Sequence, residues 1–260
     1  MIKRLNISIF SPSKIAFFLK DKKRYVLAYL LLLSFIISIP LMIQLAVSSG
    51  MSDGELKTIS KQLKEQSLVC SITDYKLDSN CQSDAFEIGP FNMAINNIES
   101  SGSNYLLVLK ESGISLYFLG REITNVSYEV LKIDNLDLSL SNEVEQQKFE
   151  QVVTDLYDQT KTARNVMMVL VSTASEFILF VLLAILIAFV YGMMPQRLKY
   201  QYRFVMASYA LTPYIVLLLI ATLYGFEELL FLGLILPYIY MRIAYTGLLK
   251  MSRIVIKKEE

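Results

Sequence analysis

The sequence predicts an α-helical polytopic membrane protein: four transmembrane helices, N-in/C-in, with a small extracytoplasmic α+β domain between helices 1 and 2. Three observations predict it. Four apolar segments, at 25–48, 166–194, 204–223 and 229–249, are each long enough to cross a bilayer, whose hydrocarbon core takes about 20 residues of helix. A single polar block, 49–165, separates the first span from the other three. The basic residues fall on alternate flanks of the spans, as the positive-inside rule requires.

The charges fix the orientation. The lead 1–24 carries Lys3, Arg4, Lys14, Lys20, Lys22, Lys23 and Arg24, opposed only by Asp21. The loop between the second and third spans has Arg197, Lys199 and Arg203 and no acid. The loop between the third and fourth has Glu227 and Glu228 and no base, and the tail 250–260 carries Lys250, Arg253, Lys257 and Lys258. All four spans therefore agree on a cytoplasmic lead and tail and an external polar block. The net charge of +1 conceals a separation. The block 49–165 holds 18 acids against 10 bases, a net −8, while the rest of the chain holds 15 bases against 6 acids, a net +9. The basic inner flanks suit an anionic lipid surface, and the acidic block argues against a nucleic-acid partner.

Within the lead, Ser11 is placed to cap a helix and Pro12 suits its first position. Ile15, Phe18 and Leu19 share a face beside lysines, so the segment reads either as a short interfacial helix or as a plain lead-in. The apolar run of the first span far exceeds the roughly 7–15 residues of a signal h-region, so it reads as an uncleaved anchor.

The block opens on a capping box, Ser52 with Glu55, followed by Leu56, Ile59 and Leu63 at helical spacing; this predicts a helix at 54–66. Short β-branched and aromatic runs follow at 68–73, 86–88, 91–95, 105–110, 114–119 and 123–127, separated by Gly, Asn, Asp and Ser. They predict a small, mostly antiparallel sheet, with a hairpin turn at Glu111-Ser112-Gly113. Asn142 and Glu145 can cap a closing helix that places Phe149, Val152, Val153, Leu156 and Thr160 on one face. No Gly or Pro falls between Ser141 and Gly192, so that helix is expected to run unbroken into the second span.

Catalytic chemistry is poorly supplied. There is no histidine, which removes the commonest general base, the Ser-His-Asp triad, the Cys-His dyad and the usual zinc site. There is no glycine-rich phosphate loop. Asp134 and Asp137 lie in an acidic loop and read as solvated rather than as a glycosidase pair. The chain thus reads as a non-enzyme without cofactor or metal. Cys70 and Cys81, the two cysteines, lie outside and flank a turn at Asp74–Asn80. They form either a disulfide or two unpaired thiols.

Two ionisable groups fall at membrane depth, Glu176 in the second span and Arg242 in the fourth. Counted from the outer ends of the spans, their depths differ by only about 5 Å, which allows an ion pair between those helices. The alternative leaves Glu176 at the outer interface and Arg242 snorkelling to the cytoplasm. Pro40, Pro213 and Pro237 are expected to kink three of the spans.

Three stretches carry a family resemblance: Phe10-Ser11-Pro12-Ser13-Lys14-Ile15-Ala16, then Ile39-Pro40 in the first span, then Tyr209-Ala210-Leu211-Thr212-Pro213 in the third. With the single external block ending in a helix, their order resembles the membrane protein family of Gram-positive bacteria defined by domain of unknown function 1189. The resemblance covers nearly the whole chain. Some members are called maltodextrin utilisation proteins. It implies a multi-pass protein of a Gram-positive plasma membrane and an accessory or scaffold role beside a carbohydrate ABC transporter. It implies no catalytic residues. A sensor relaying through a membrane partner is the competing expectation, and a small transporter a third, which the sparse intramembrane polarity disfavours.

Overall fold

The structure is a computed structural model that describes residues 1–47, 51–66, 68–79, 81, 85–88, 91–96, 105–118, 120–192, 198–226 and 233–259. The expected loop charges Arg197, Glu227 and Glu228, and the start of the fourth expected span, lie outside these residues. The chain divides into a helical unit, Met1–Val47 with Met168–Glu260, and a mixed unit, Ser48–Met167.

The helical unit begins with α1 (Ile2–Phe10) and a 3₁₀ helix (Pro12–Phe18). Then come α2 (Lys23–Ile37) and α3 (Ile39–Val47). In α2 the residues Val26, Tyr29, Leu30, Leu33 and Ile37 form a buried stripe at helical spacing. Against it pack Phe180, Ala184, Ile187 and Ala188 from α5 (Glu143–Val190), numbered after α4 below, and Met206, Ala207 and Ala210 from α6 (Tyr200–Ala210). The remaining helices are α7 (Thr212–Tyr224) and α8 (Leu236–Glu259). Alanines at these crossings let backbones approach closely, which is how helices associate where lipid removes the hydrophobic driving force.

Among the described residues three helical stretches are long and apolar enough to cross a membrane: Lys23–Val47, Glu143–Val190 and Tyr200–Tyr224. They match the first three expected spans. The described part of the fourth, α8, carries Arg242, Lys250, Arg253, Lys257 and Lys258 along its length. Its apolar start, residues 229–232, is outside the described set. As expected, α5 is a single helix of 48 residues.

In the mixed unit α4 (Asp53–Glu65) opens on the anticipated capping box: the Ser52 amide donates to the Glu55 carboxylate at 2.8 Å, and the Glu55 amide to Ser52 Oγ at 3.4 Å. Strands β3 (Ala85–Ile88), β4 (Phe91–Ile95), β5 (Tyr105–Lys110), β6 (Gly113–Phe118) and β7 (Arg121–Ser127) form one sheet in that order. Every neighbouring pair is antiparallel except β4 with β5, which is parallel. A second sheet orders β2 (Lys76–Leu77), β1 (Ser71–Thr73) and β8 (Asn135–Asp137). The turn expected at Asp74–Asn80 is tighter: Asp74 and Tyr75, both at positive φ, join Thr73 to Lys76 as a two-residue hairpin.

The hairpin turn after Lys110 reduces to Glu111 and Ser112, because Lys110 pairs with Gly113. Gly113 is required by close approach. A Cβ there would lie 2.5 Å from the Val126 carbonyl oxygen of β7. Gly113→Ala is expected to push β7 off β6 and destabilise the unit by about 2 kcal/mol. A fall in the thermal midpoint of the full chain checks this, and an unchanged midpoint rejects the crowding.

The first half of α5 covers the larger sheet through Phe149 and Leu156, while α4 adds Ile59 and Leu63. The Glu145 amide donates to Asn142 Oδ1 at 2.8 Å, the expected cap. The Glu145 carboxylate turns instead to the Asp137 amide at 3.2 Å and so ties β8 to the helix.

Candidate functional site

The helical unit contains a groove bordered by α3, α5 and α7. It is lined by Pro40, Leu41 and Gln44 of α3, Ser172 and Glu176 of α5, and Leu218 and Thr222 of α7, among others, with a volume of about 630 Å³. A local break positions it. Pro40 has no N–H to continue the α2 ladder, and the Ser38 amide falls back to the Phe35 carbonyl at 3.2 Å. The Ser38 hydroxyl donates to the Ser34 carbonyl at 3.0 Å, and so accepts from Thr173 Oγ1 at 2.9 Å. That bond fixes α5 against the break one turn before Glu176.

Glu176 Oε2 is closed to solvent and has no hydrogen-bond partner. A buried carboxylate oxygen left without a donor costs on the order of 1–3 kcal/mol or more, so an orphan of this kind calls for a reason. The neighbouring polar groups, Gln44, Ser172 and Thr222, offer no nucleophile–base pair. What the arrangement can do is receive a hydrogen-bond donor or a cation into a mainly apolar groove.

Glu176 and Arg242 do not form the expected ion pair: Arg242 is exposed on α8, and the ion pairs among the described residues lie elsewhere. The reason is depth. The Tyr191 and Tyr245 rings meet at 6.3 Å. Glu176 lies fifteen residues before Tyr191, about 22 Å of helix, whereas Arg242 lies one turn from Tyr245. Their levels along the helices therefore differ by on the order of 18 Å. The estimate from sequence placed the two groups too near one another.

The prolines divide. Pro40 stands just after the α2–α3 break and Pro213 just after the α6–α7 break. Pro237 instead occupies the first turn of α8, where a missing N–H leaves no helical bond unmade, so it does not kink that helix. Cys70 and Cys81 are joined as a disulfide with Cα atoms 4.9 Å apart, closing the β1–β2 hairpin. Asp137 is structural: its carboxylate accepts from the Ser139 amide at 2.9 Å. Among the described residues no cluster of three or more His, Cys, Asp or Glu could hold a metal.

One polar cluster was not anticipated from the sequence. Arg4 donates two bonds to Asp21, at 2.8 and 3.0 Å, and the Tyr209 hydroxyl donates to the same carboxylate at 2.6 Å. The Arg4 guanidinium, reinforced by the Tyr209 hydroxyl, holds the Asp21 carboxyl below its usual range, and Asp21 raises Arg4 in turn. Above the cluster the Tyr209 ring contacts Phe18 at 5.2 Å and Tyr29 at 4.9 Å. Tyr29 bonds Thr212 at 2.7 Å. The lead packs on the helical unit: Ile15 is fully buried, Ala16 nearly so, and both belong to a 3₁₀ rather than an α-helical turn. Ser11 makes no side-chain cap, while Pro12 does start the turn. The signal in the sequence was Asp21 itself, one acid among seven bases.

The mixed unit has a narrow apolar cleft between α5 and the five-stranded sheet. Arg164, 5% exposed, stands at the far end of the lining stretch of α5 with its guanidinium 3.6 Å from the Tyr157 ring centroid. On the strand side the Lys110 ammonium meets Glu122 at 2.7 Å and Tyr117 donates to the same oxygen at 3.0 Å, holding the Glu122 carboxyl below its usual range.

Of the three stretches that suggested a family, the first and the third share one buried core through Ile15, Tyr209, Ala210 and Leu211. A family model described as protein of unknown function (DUF1189) matches residues 2–245. The chain belongs to this family. No curated protein and no solved structure matches it.

In this DUF1189 chain the Thr212-Pro213 pair has a local explanation. Pro213 cannot donate to the Tyr209 carbonyl, and the Thr212 hydroxyl does so instead, at 2.8 Å. Tyr209 is thus held at both ends, by its carbonyl on Thr212 and by its hydroxyl on Asp21.

Proposed function

We propose that this DUF1189 protein is a non-enzymatic accessory component of a membrane assembly, and that it docks a transmembrane helix of a partner in the groove at Glu176. In this reading the chain crosses the plasma membrane four times, with lead and tail inside and the α+β unit outside. The basic flanks support that orientation. Arg242 then lies toward the inner face, within snorkelling reach of the headgroups. The observation that carries the reading is the orphaned Glu176 oxygen in an open groove. An ionisable group at membrane depth marks a functional contact by default. A partner helix presenting Lys, Arg or an amide at that level would satisfy it. The family resemblance makes a permease of a maltodextrin-type ABC importer in a Gram-positive cell the first partner to test.

A photo-crosslinking residue placed at Gln44 or Thr222 in native membranes tests this. Adducts with a permease are expected from both positions, but not from exposed Ile178 on α5, and Glu176→Ala should reduce them severalfold. Adducts no different from those at Ile178 would reject the docking groove. An adduct with an unrelated membrane protein would keep the groove and remove the carbohydrate assignment. The sensor reading draws on a separate feature, the cleft of the mixed unit.

A further inference from the structure

The lead turns two different faces to its surroundings. The inward face is apolar and closed: Ile15 is fully buried, Ala16 nearly so, and Leu5, Phe18 and Leu19 pack against the core of the helical unit. The outward face holds large apolar groups in the open, Ile2 at 84% exposure, Phe10 at 74% and Phe17 at 64%. In a 3₁₀ helix side chains three apart eclipse, so Lys14 and Phe17 stand in one line along it. The exposed charges of the lead are of one sign. Its single acid, Asp21, is taken up by Arg4 and Tyr209. Lys3, Lys14, Lys20, Lys22, Lys23 and Arg24 all remain exposed, six cations with no acid left in the lead to answer them. Lys23 also begins the first helical stretch long and apolar enough to cross a membrane, so the last of these cations stand where the chain enters it. There the Arg24 guanidinium lies 5.1 Å from the centre of the exposed Tyr25 ring. A tyrosine beside a cation at the end of a span is the pattern of the headgroup level.

We propose that the outward face of the lead lies on the bilayer surface and binds anionic phospholipid headgroups, with Phe10 and Phe17 at the acyl boundary and the lysines on the phosphates. Charge complementarity selects this occupant. A free phosphate or a nucleic acid would answer the cations and leave the phenylalanines in water. A neutral lipid surface would take the rings and give the cations nothing. An anionic bilayer surface offers both, which is how a basic face with large apolar groups associates with lipid. The lysine stems add to this by lying along the apolar layer while their ammonium groups reach the phosphates. The surface then holds the lead from outside as the core holds Ile15 from within. The inference rests on the apolar helices spanning a membrane. It is independent of the Glu176 groove and of the side on which the lead lies.

The test uses the full chain in lipid nanodiscs with the fluorophore NBD on Phe17→Cys; the native cysteines are bonded to each other and take no label. The discs contain phosphatidylcholine alone or with phosphatidylglycerol, and part of the lipid carries an acyl-chain nitroxide. Insertion at position 17 is read as quenching by the nitroxide relative to quenching by iodide from the water. It is expected to rise about fivefold when phosphatidylglycerol is added, the worth of a single lysine at an anionic surface. Molar salt should cancel the rise, a check that needs no lysine substitution. Lys14→Gln combined with Lys20→Gln should remove most of it at low salt. NBD on Ile178→Cys, exposed on α5, should be quenched by the nitroxide equally in both discs. Equal insertion at position 17 in both discs overturns the proposal, and so does a rise that survives both salt and the double substitution. A label at position 17 open to iodide in both discs but shielded in native membrane vesicles assigns the face to a protein partner and overturns it too. An unquenched label at position 178 removes the spanning reading, and the proposal with it.

Discussion

Replacing Gly247 with valine is expected to free the amino-terminal segment from the helical unit. Gly247 lies on α8 where the 3₁₀ helix crosses it. A Cβ there would fall 3.0 Å from both the Ser13 carbonyl carbon and Cα, and closer still to the carbonyl oxygen. These are backbone atoms, so no rotamer change relieves the contact. Either α8 or the 3₁₀ helix has to move. The 3₁₀ helix is the shorter element, and its burial rests on Ile15 and Ala16. Overpacking of this kind costs about 1–3 kcal/mol and occasionally more, and valine adds two methyl groups to the collision. The readout is the reactivity of an introduced Ile15→Cys. The two native cysteines are bonded to each other and do not compete for label. In the Gly247 background the side chain at position 15 is buried and should react slowly with a maleimide. In Gly247→Val the rate should rise at least about tenfold, matching a loss of about 1.4 kcal/mol or more in docking. Gly54→Val is the control, because nothing lies within 4 Å of a Cβ at that site. Equal labelling in all three backgrounds would mean that the 3₁₀ helix is not held by this crossing.

The first three apolar helices were legible because a stretch long enough to cross a membrane announces itself by length. The expected 25–48, 166–194 and 204–223 correspond to helical stretches at Lys23–Val47, Glu143–Val190 and Tyr200–Tyr224. The capping box at Ser52 and the turn after Lys110 were legible because each is fixed by a few adjacent residues. What stayed hidden depends on partners far away in the chain. α1 contains Leu5, Ile7 and Ile9 alternating with Asn6 and Ser8, a strand-like period, yet it forms a helix with Ser8 buried. Its burial comes from packing, and local pattern does not report packing. β2 and β8 have two and three residues, too few to show any period. The Glu176–Arg242 pair failed for a related reason. Counting inward from assumed span ends carries every error in those ends into the depth. The contact that sets the register, Tyr191 with Tyr245, cannot be read from either segment alone.

Asp21→Asn should have the second large effect, because this carboxylate joins three elements at one point. It accepts two bonds from Arg4 on α1 and one from Tyr209 on α6, just ahead of α2. Its side chain is 16% exposed and that of Arg4 28%, so the pair is only partly screened by water. Asparagine can still accept from Tyr209 but cannot neutralise Arg4. A charged bond lost with its partner left behind costs about 1.5–3 kcal/mol in a buried setting, and partial exposure brings the expected loss to about 2 kcal/mol. Tyr209→Phe keeps the ion pair and should cost about 1 kcal/mol, one ordinary hydrogen bond. The pH dependence separates charge from packing. Asp21 is held below its ordinary value of 3.8, first by the Arg4 bonds and then by the Tyr209 hydroxyl, against desolvation. A carboxylate depressed in the folded state adds stability that is fully present above the unfolded value and disappears as pH falls through the folded one. Docking of the lead should therefore hold from neutrality to about pH 4 and loosen below it. The reaction rate of Ile15→Cys with 2,2′-dithiodipyridine, a disulfide reagent that still attacks thiols in acid, measures the loosening as pH is lowered. In Asp21→Asn the labelling should start high and lose that acid step. A step of the same size in the variant would assign it to some other carboxylate and leave Asp21 with a packing role alone.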